Sequence, residues 1–219
     1  MTPDDLVLTI DGRRPLTPEA VAGVTAVCDA AEDRGGRSRV VVHLSGAPGG
    51  DVPEELTVAL VSKWERALRR LERLPAITIG VAGGDCGGLA LDVLLATDYR
   101  VATRSTRLVV PVRAGATWPG MALYRLAQYG ANAAPIRRAV LFGTPVTATD
   151  ALALHLLDEL ADEPGTVLGE RAATVSGSEL AIRRQLMSEA ATATFEEALG
   201  AHLAACDRTL RRGTVEAAS

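Results

Sequence analysis

The chain has 219 residues, 47% of them hydrophobic and 23% charged, with a net charge of −4; this suits one packed domain, or one with a short helical appendage, and excludes general disorder. Aromatics are only 3%, so the core is aliphatic, and stacking platforms for single-stranded nucleic acid have little to draw on. The charge balance argues against nucleic-acid binding, and no run approaches the roughly 18 apolar residues of a membrane span.

The three cysteines, Cys28, Cys86 and Cys206, lie far apart, with neither zinc nor disulfide spacing. The acidic opening lacks a signal-peptide layout. A cytoplasmic protein with reduced thiols and no metal is expected. Of the 23 basic residues only Lys63 is lysine, a bias that fits GC-rich coding and says nothing about chemistry.

In chain order, residues 7–10 form a short apolar strand ended by Asp11-Gly12. Thr17-Pro18 starts a helix, because Thr is a good N-cap and Pro fits the first turn. Val21, Val24, Val27 and Cys28 carry helical spacing to about Asp33. Residues 40–44 are a buried-type strand, closed by a turn from Ala47 to Asp51. Pro53 opens a long helix with Leu56, Leu60, Trp64, Ala67, Leu68 and Leu71 on one face, and Pro75 stops it. Residues 77–81 are another buried strand, leading into the glycine-rich turn 83–88.

Residues 89–97 form a short apolar helix, and 99–102 and 108–110 are strands. The chain reads helical from Pro119. Thr147 to Asp150 is a capping pattern before a further helix, 157–160 is a last short strand, and helices around 178–190 and 194–211 close the chain. Continuous apolar strands alternating with helices predict an α/β fold with mostly parallel sheet.

Both glycine-rich turns hand a strand to a helix. They are either simple tight turns or places where helix N-terminal amides meet a developing oxyanion. Neither matches a P-loop or a dinucleotide fingerprint. His43, inside an apolar strand, reads as a core residue, and no serine-hydrolase elbow is present. Arg66, Arg69, Arg70 and Arg73, with Glu65 and Glu72, read as a solvated face with salt bridges, or as a phosphate clamp. Asp92 stands among Leu89, Ala90, Leu91, Val93, Leu94 and Leu95. An acid in such surroundings needs a partner or a raised pKa, for structure or for function.

The run Ile77-Thr78-Ile79-Gly80-Val81-Ala82-Gly83-Gly84-Asp85-Cys86-Gly87-Gly88-Leu89-Ala90-Leu91-Asp92, followed by Ala96 to Ala102, resembles the signature of the crotonase (enoyl-CoA hydratase/isomerase) family. Pro111, Trp118-Pro119-Gly120 and Leu141-Phe142-Gly143 followed by Val146 to Ala151 continue the similarity, which covers roughly residues 5–165. The resemblance implies a spiral of ββα turns over 1–165 with a helical, trimerisation-type region over 166–219. It implies a trimer or hexamer that takes a CoA thioester as substrate and needs no separate cofactor. The amides of Gly50 and Leu89 would polarise the thioester carbonyl, and Arg13, Arg14, Gly88 and Trp118 would lie along the bound ligand. Asp92 falls on the first catalytic glutamate of the family, and Val112 stands where the second belongs. Hydration needs paired carboxylates to hold its water, and the chain retains at most one, so hydration of short enoyl-CoA substrates such as crotonyl-CoA is not expected.

Within the family the chain most resembles the auxiliary B-type proteins of 3,5-dihydroxyphenylglycine biosynthesis, an antibiotic-precursor pathway. That resemblance implies assistance to a type III polyketide synthase, by dehydration and aromatisation of a polyketide acyl-CoA. A non-catalytic scaffold for that synthase and an enoyl-CoA hydratase/isomerase of acyl-CoA metabolism stand as alternatives.

Overall fold

The computed structural model describes residues 5–35, 38–49, 56–163, 177–190 and 192–216. Its central sheet is parallel in the order β1 (Asp5–Asp11), β2 (Arg39–Gly46), β3 (Ile77–Gly87), β4 (Tyr99–Ala102) and β9 (Glu159–Leu160). Val7 pairs with Val41, Val41 with Ile79 and Ile79 with Tyr99. Such apolar runs suit strands covered on both faces.

The helix α1 (Pro18–Asp33) starts as expected, with the Thr17 side chain accepting from the Ala20 amide at 3.3 Å. In α2 (Val58–Glu72) the N-cap is Thr57, which accepts from Leu60 at 3.2 Å. The expected start at Pro53 lies outside the described residues, as does Gly50. Trp64, Ala67, Leu68 and Leu71 form the buried face of α2.

Strand β3 corrects the expected turn at 83–88, since the ladder runs on through Gly87. Its first half pairs with β4 and its second, Asp85 to Gly87, with β5 (Arg107–Val109). One strand thus serves two turns of the spiral. It ends at α3 (Leu89–Leu94), one turn shorter than expected.

The hairpin of β6 (Val112–Arg113) and β7 (Ala116–Thr117) follows, turning through Ala114 and Gly115, both at positive φ. The helical stretch after Pro119 is two helices, α4 (Met121–Gly130) and α5 (Ala134–Phe142), the second ended by left-handed Gly143. Strand β8 (Val146–Thr147) pairs antiparallel with β5 and leads into α6 (Ala148–Ala153), capped by Thr147 on the Asp150 amide.

Helices α7 (Gly177–Ala190) and α8 (Phe195–Glu216) complete the chain. Arg184 fastens α7 to the core. Its guanidinium donates to the carbonyls of Leu74 at 2.5 Å and Ala76 at 2.6 Å and to Asp98 Oδ2 at 2.6 Å. His43 is half-buried rather than a core residue. No helix among the described residues is long and apolar enough to cross a membrane. No cluster of three potential metal ligands occurs among them either.

Candidate active site

The carboxyl ends of β1, β2 and β3 meet at backbone distance. A Cβ on Gly12 would strike the carbonyl oxygens of Gly87 and Gly46, so only glycine fits there. Next to this crossing Gly88 adopts φ 54°, with Pro48 against it. The chain turns there directly into α3.

A cavity opens over these strand ends. Its walls include Gly12 and Pro48 from the crossing, Trp64 and Glu65 from α2, and Gly88, Leu89 and Asp92 from the start of α3. Arg14 lies on one side, and Pro111, Arg113, Trp118 and Gly120 on the other. Its volume is about 70 Å³, against roughly 300–1,000 Å³ for ordinary small-molecule sites. The buried Leu89 side chain is one wall.

Asp92 has both things its sequence context demanded. The Trp64 indole N–H donates to its Oδ2 at 3.0 Å. Burial pushes its pKa from 3.8 up to about 7. The Trp64 hydrogen bond and the Arg125 charge oppose that rise, and the Glu65 charge adds to it.

Most of the other expected site residues gather here. Leu89, Gly88, Trp118 and Arg14 line the cavity with Asp92. Arg13 is not among its walls; it bonds Asp11 through Nε at 2.9 Å and Nη2 at 3.0 Å. Val112 is 42% exposed and packs against Gly143, whose Cβ position would meet its Cγ2. Its neighbours Pro111 and Arg113 are the ones that face the cavity.

Sequence reasoning missed Glu65. It does not belong to a solvated face: it lines the cavity and its Oε2 accepts from Arg125 Nη1 at 3.0 Å. Arg125, 9% exposed, also donates through Nε to Glu72 at 2.7 Å. Burial pushes the Glu65 pKa up, and Arg125 restrains the rise. The α2 arginines serve other ends, Arg70 pairing with Asp29 and Glu32 and Arg69 with Glu72.

A protein of Amycolatopsis orientalis named enoyl-CoA-hydratase is 54% identical over 211 residues, covering 95% of this chain and 97% of that protein. The chain belongs to the crotonase (enoyl-CoA hydratase/isomerase) superfamily. No family model matches it. The fold agrees with solved structures at low identity. An enoyl-CoA hydratase/isomerase from Marinobacter aquaeolei superimposes with TM-score 0.77 at 15% identity, over 96% of this chain and 89% of that one. An enoyl-CoA hydratase from Polaromonas sp. JS666 gives TM-score 0.73 at 20% identity, over 94% and 88%.

Proposed function

We propose that this protein performs enoyl-CoA hydratase/isomerase-type chemistry on an acyl-CoA thioester, with Asp92 as the proton-transfer acid. One observation carries this reading. Asp92 faces the cavity with one oxygen held by Trp64 and a pKa near 7, where an acid transfers protons efficiently. The amide of Leu89 opens a helix and has no acceptor within it; with that of Gly50 it would hold the thioester oxygen. Gly88 and Trp118 flank the acyl group. Arg14, with Arg13 beside it, takes the CoA phosphates. Residues 166–219 would build a trimer or hexamer.

The finer reading is dehydration and aromatisation of a polyketide acyl-CoA for a type III polyketide synthase in dihydroxyphenylglycine formation. The likeness of the Gly83 to Asp92 region supports it. The departure at Val112 favours a second reading, a non-catalytic enhancer of that synthase.

The first test measures crotonyl-CoA hydration and 3-hydroxybutyryl-CoA dehydration by the parent and by Asp92→Asn. Loss of about 100–10,000-fold in a folded variant is expected, and an unchanged rate overturns the acid role. Assaying the synthase with and without this protein decides the finer reading. Stimulation that survives Asp92→Asn identifies the enhancer.

A further inference from the structure

The cavity contains two carboxylates, from different elements. Asp92 comes from α3 and Glu65 from α2, and both line the same space. They are close enough for the Glu65 charge to raise the Asp92 pKa. Each has one oxygen committed to a protein donor: Asp92 Oδ2 to the Trp64 indole at 3.0 Å, and Glu65 Oε2 to Arg125 at 3.0 Å. The second oxygen of each stands outside those bonds. Burial raises both carboxyls, and the two donors, which differ in kind, bias which of the pair holds the proton. A neutral indole faces Asp92, whereas a buried guanidinium grips Glu65 and favours its charged form.

We infer that Glu65 is the second proton-transfer carboxylate of this site, supplying from α2 the base that position 112 does not, for a substrate of the 3-hydroxyacyl thioester class. The inference rests on the acyl-CoA reading above. Glu65, ionised, takes the proton from the carbon α to the thioester. The electron pair of that C–H bond becomes the new C=C bond, and the bond from the β-carbon to its hydroxyl breaks. Asp92, protonated, gives its proton to the departing hydroxyl, which leaves as water. The site ends with Glu65 protonated and Asp92 ionised, and one proton passing between them through water restores it. The reverse sequence is hydration.

Arg125 is a positioning residue in this scheme. It holds Glu65 from one side while Glu72, on the next turn but one of α2, anchors its other edge. The charged groups around the pair are Arg125 and Glu72, with Arg14 and Arg113 in the cavity walls.

The experiment uses the full chain. The parent, Glu65→Gln, Glu65→Asp, Glu72→Gln and Asp92→Asn are compared in two assays: dehydration of 3-hydroxybutyryl-CoA, and exchange of the α-protons of butyryl-CoA with D2O. Glutamine at 65 still accepts from Arg125, so the fold survives, as circular dichroism verifies. Glu65→Gln is expected to lower dehydration by about 100-fold or more and to abolish α-proton exchange. Asp92→Asn is expected to lose dehydration and keep the exchange. Glu65→Asp recovers part of both activities, and the low-pH limb of the parent's rate profile disappears in Glu65→Gln.

A merely structural Glu65 would make Glu65→Gln and Glu72→Gln alike, shifting the melting temperature and sparing the exchange. That result overturns the inference and leaves the acyl-CoA reading standing. A folded parent that acts on neither thioester overturns both.

Discussion

Trp64 and Asp92 lie 28 residues apart on different helices and meet at 3.0 Å, the indole N–H donating to the carboxyl Oδ2. Trp64 is fully buried, so its packing fixes the donor and the donor fixes the acid. Trp64→Phe keeps much of the packing and removes the N–H. A hydrogen bond to a charged group contributes about 1.5–3 kcal/mol. The ionised form of Asp92 therefore loses support, and its pKa is expected to rise by about 1–2 units. The pH–rate profile would show this as an alkaline limb moved upward. A limb that stays in place would show that the bond does not tune the acid.

Asp92 also ties stability to pH. Its pKa goes up on folding, from 3.8 to about 7, so the folded protein binds more protons than the unfolded chain between those values. The stability this confers is fully present below about pH 4 and is lost as the pH rises to about 7. Relative to Asp92→Asn, the parent is expected to lose about 1.4 kcal/mol per pH unit over that interval. Urea unfolding of both proteins at pH 5, 6, 7 and 8 measures the difference, which should level off above pH 7. A constant difference would contradict the buried acid.

Sequence reasoning recovers what local rules control. Thr17-Pro18 and Thr147 to Asp150 name their helix starts because a cap is a bond across three residues. The apolar runs of β2 and β3 name their strands because both faces are covered. The role of Glu65 is invisible on the same grounds. It sits in a run of charges from Glu65 to Arg73, and its partner Arg125 is 60 residues away. A charge that turns inward to a distant guanidinium looks locally like one facing water. The β6–β7 hairpin, with strands of two residues, is too short for any periodicity. Position 112 is a subtler case: the family pattern places it, but the pleat of that hairpin turns its side chain toward Gly143.

That orientation gives a third prediction. Val112→Glu puts a carboxylate at a position whose side chain lies outside the cavity. It is expected to leave the dehydration rate near the parent's. A gain of about 100-fold, the usual contribution of a placed acid or base, would show that the hairpin can turn this residue inward.

Arg184 offers a test far from the site. Arg184→Met removes a guanidinium that joins α7 to two carbonyls and to Asp98. Asp98 keeps the Thr78 amide and hydroxyl, each at 2.8 Å, which limits the loss. About 1–3 kcal/mol is expected, as for hydrogen bonds to a charged group at a partly buried site. Hydrogen exchange should quicken in α7 and α8 before the central sheet. Uniform quickening would mean that α7 and the sheet unfold as one unit.

Two glycines should behave in opposite ways. Gly12→Ala drives a methyl group into two carbonyl oxygens and is expected to cost about 3 kcal/mol or more. Gly23→Ala, inside α1 with its nearest neighbour at 3.9 Å, is expected to gain about 1 kcal/mol from helix propensity. Thermal melts of the two variants decide both.

The crossing at Gly12, Gly46 and Gly87 has a wider meaning. Three strand termini meet there closely enough that a Cβ at Gly12 would strike two carbonyl oxygens, so the platform beneath the cavity is set by glycine at that position. Residues 65, 89 and 92 line the cavity from α2 and α3, outside that junction. The molecule thus combines a junction that admits no side chain at Gly12 with a ring of side chains, from other elements, that carries the charges above it.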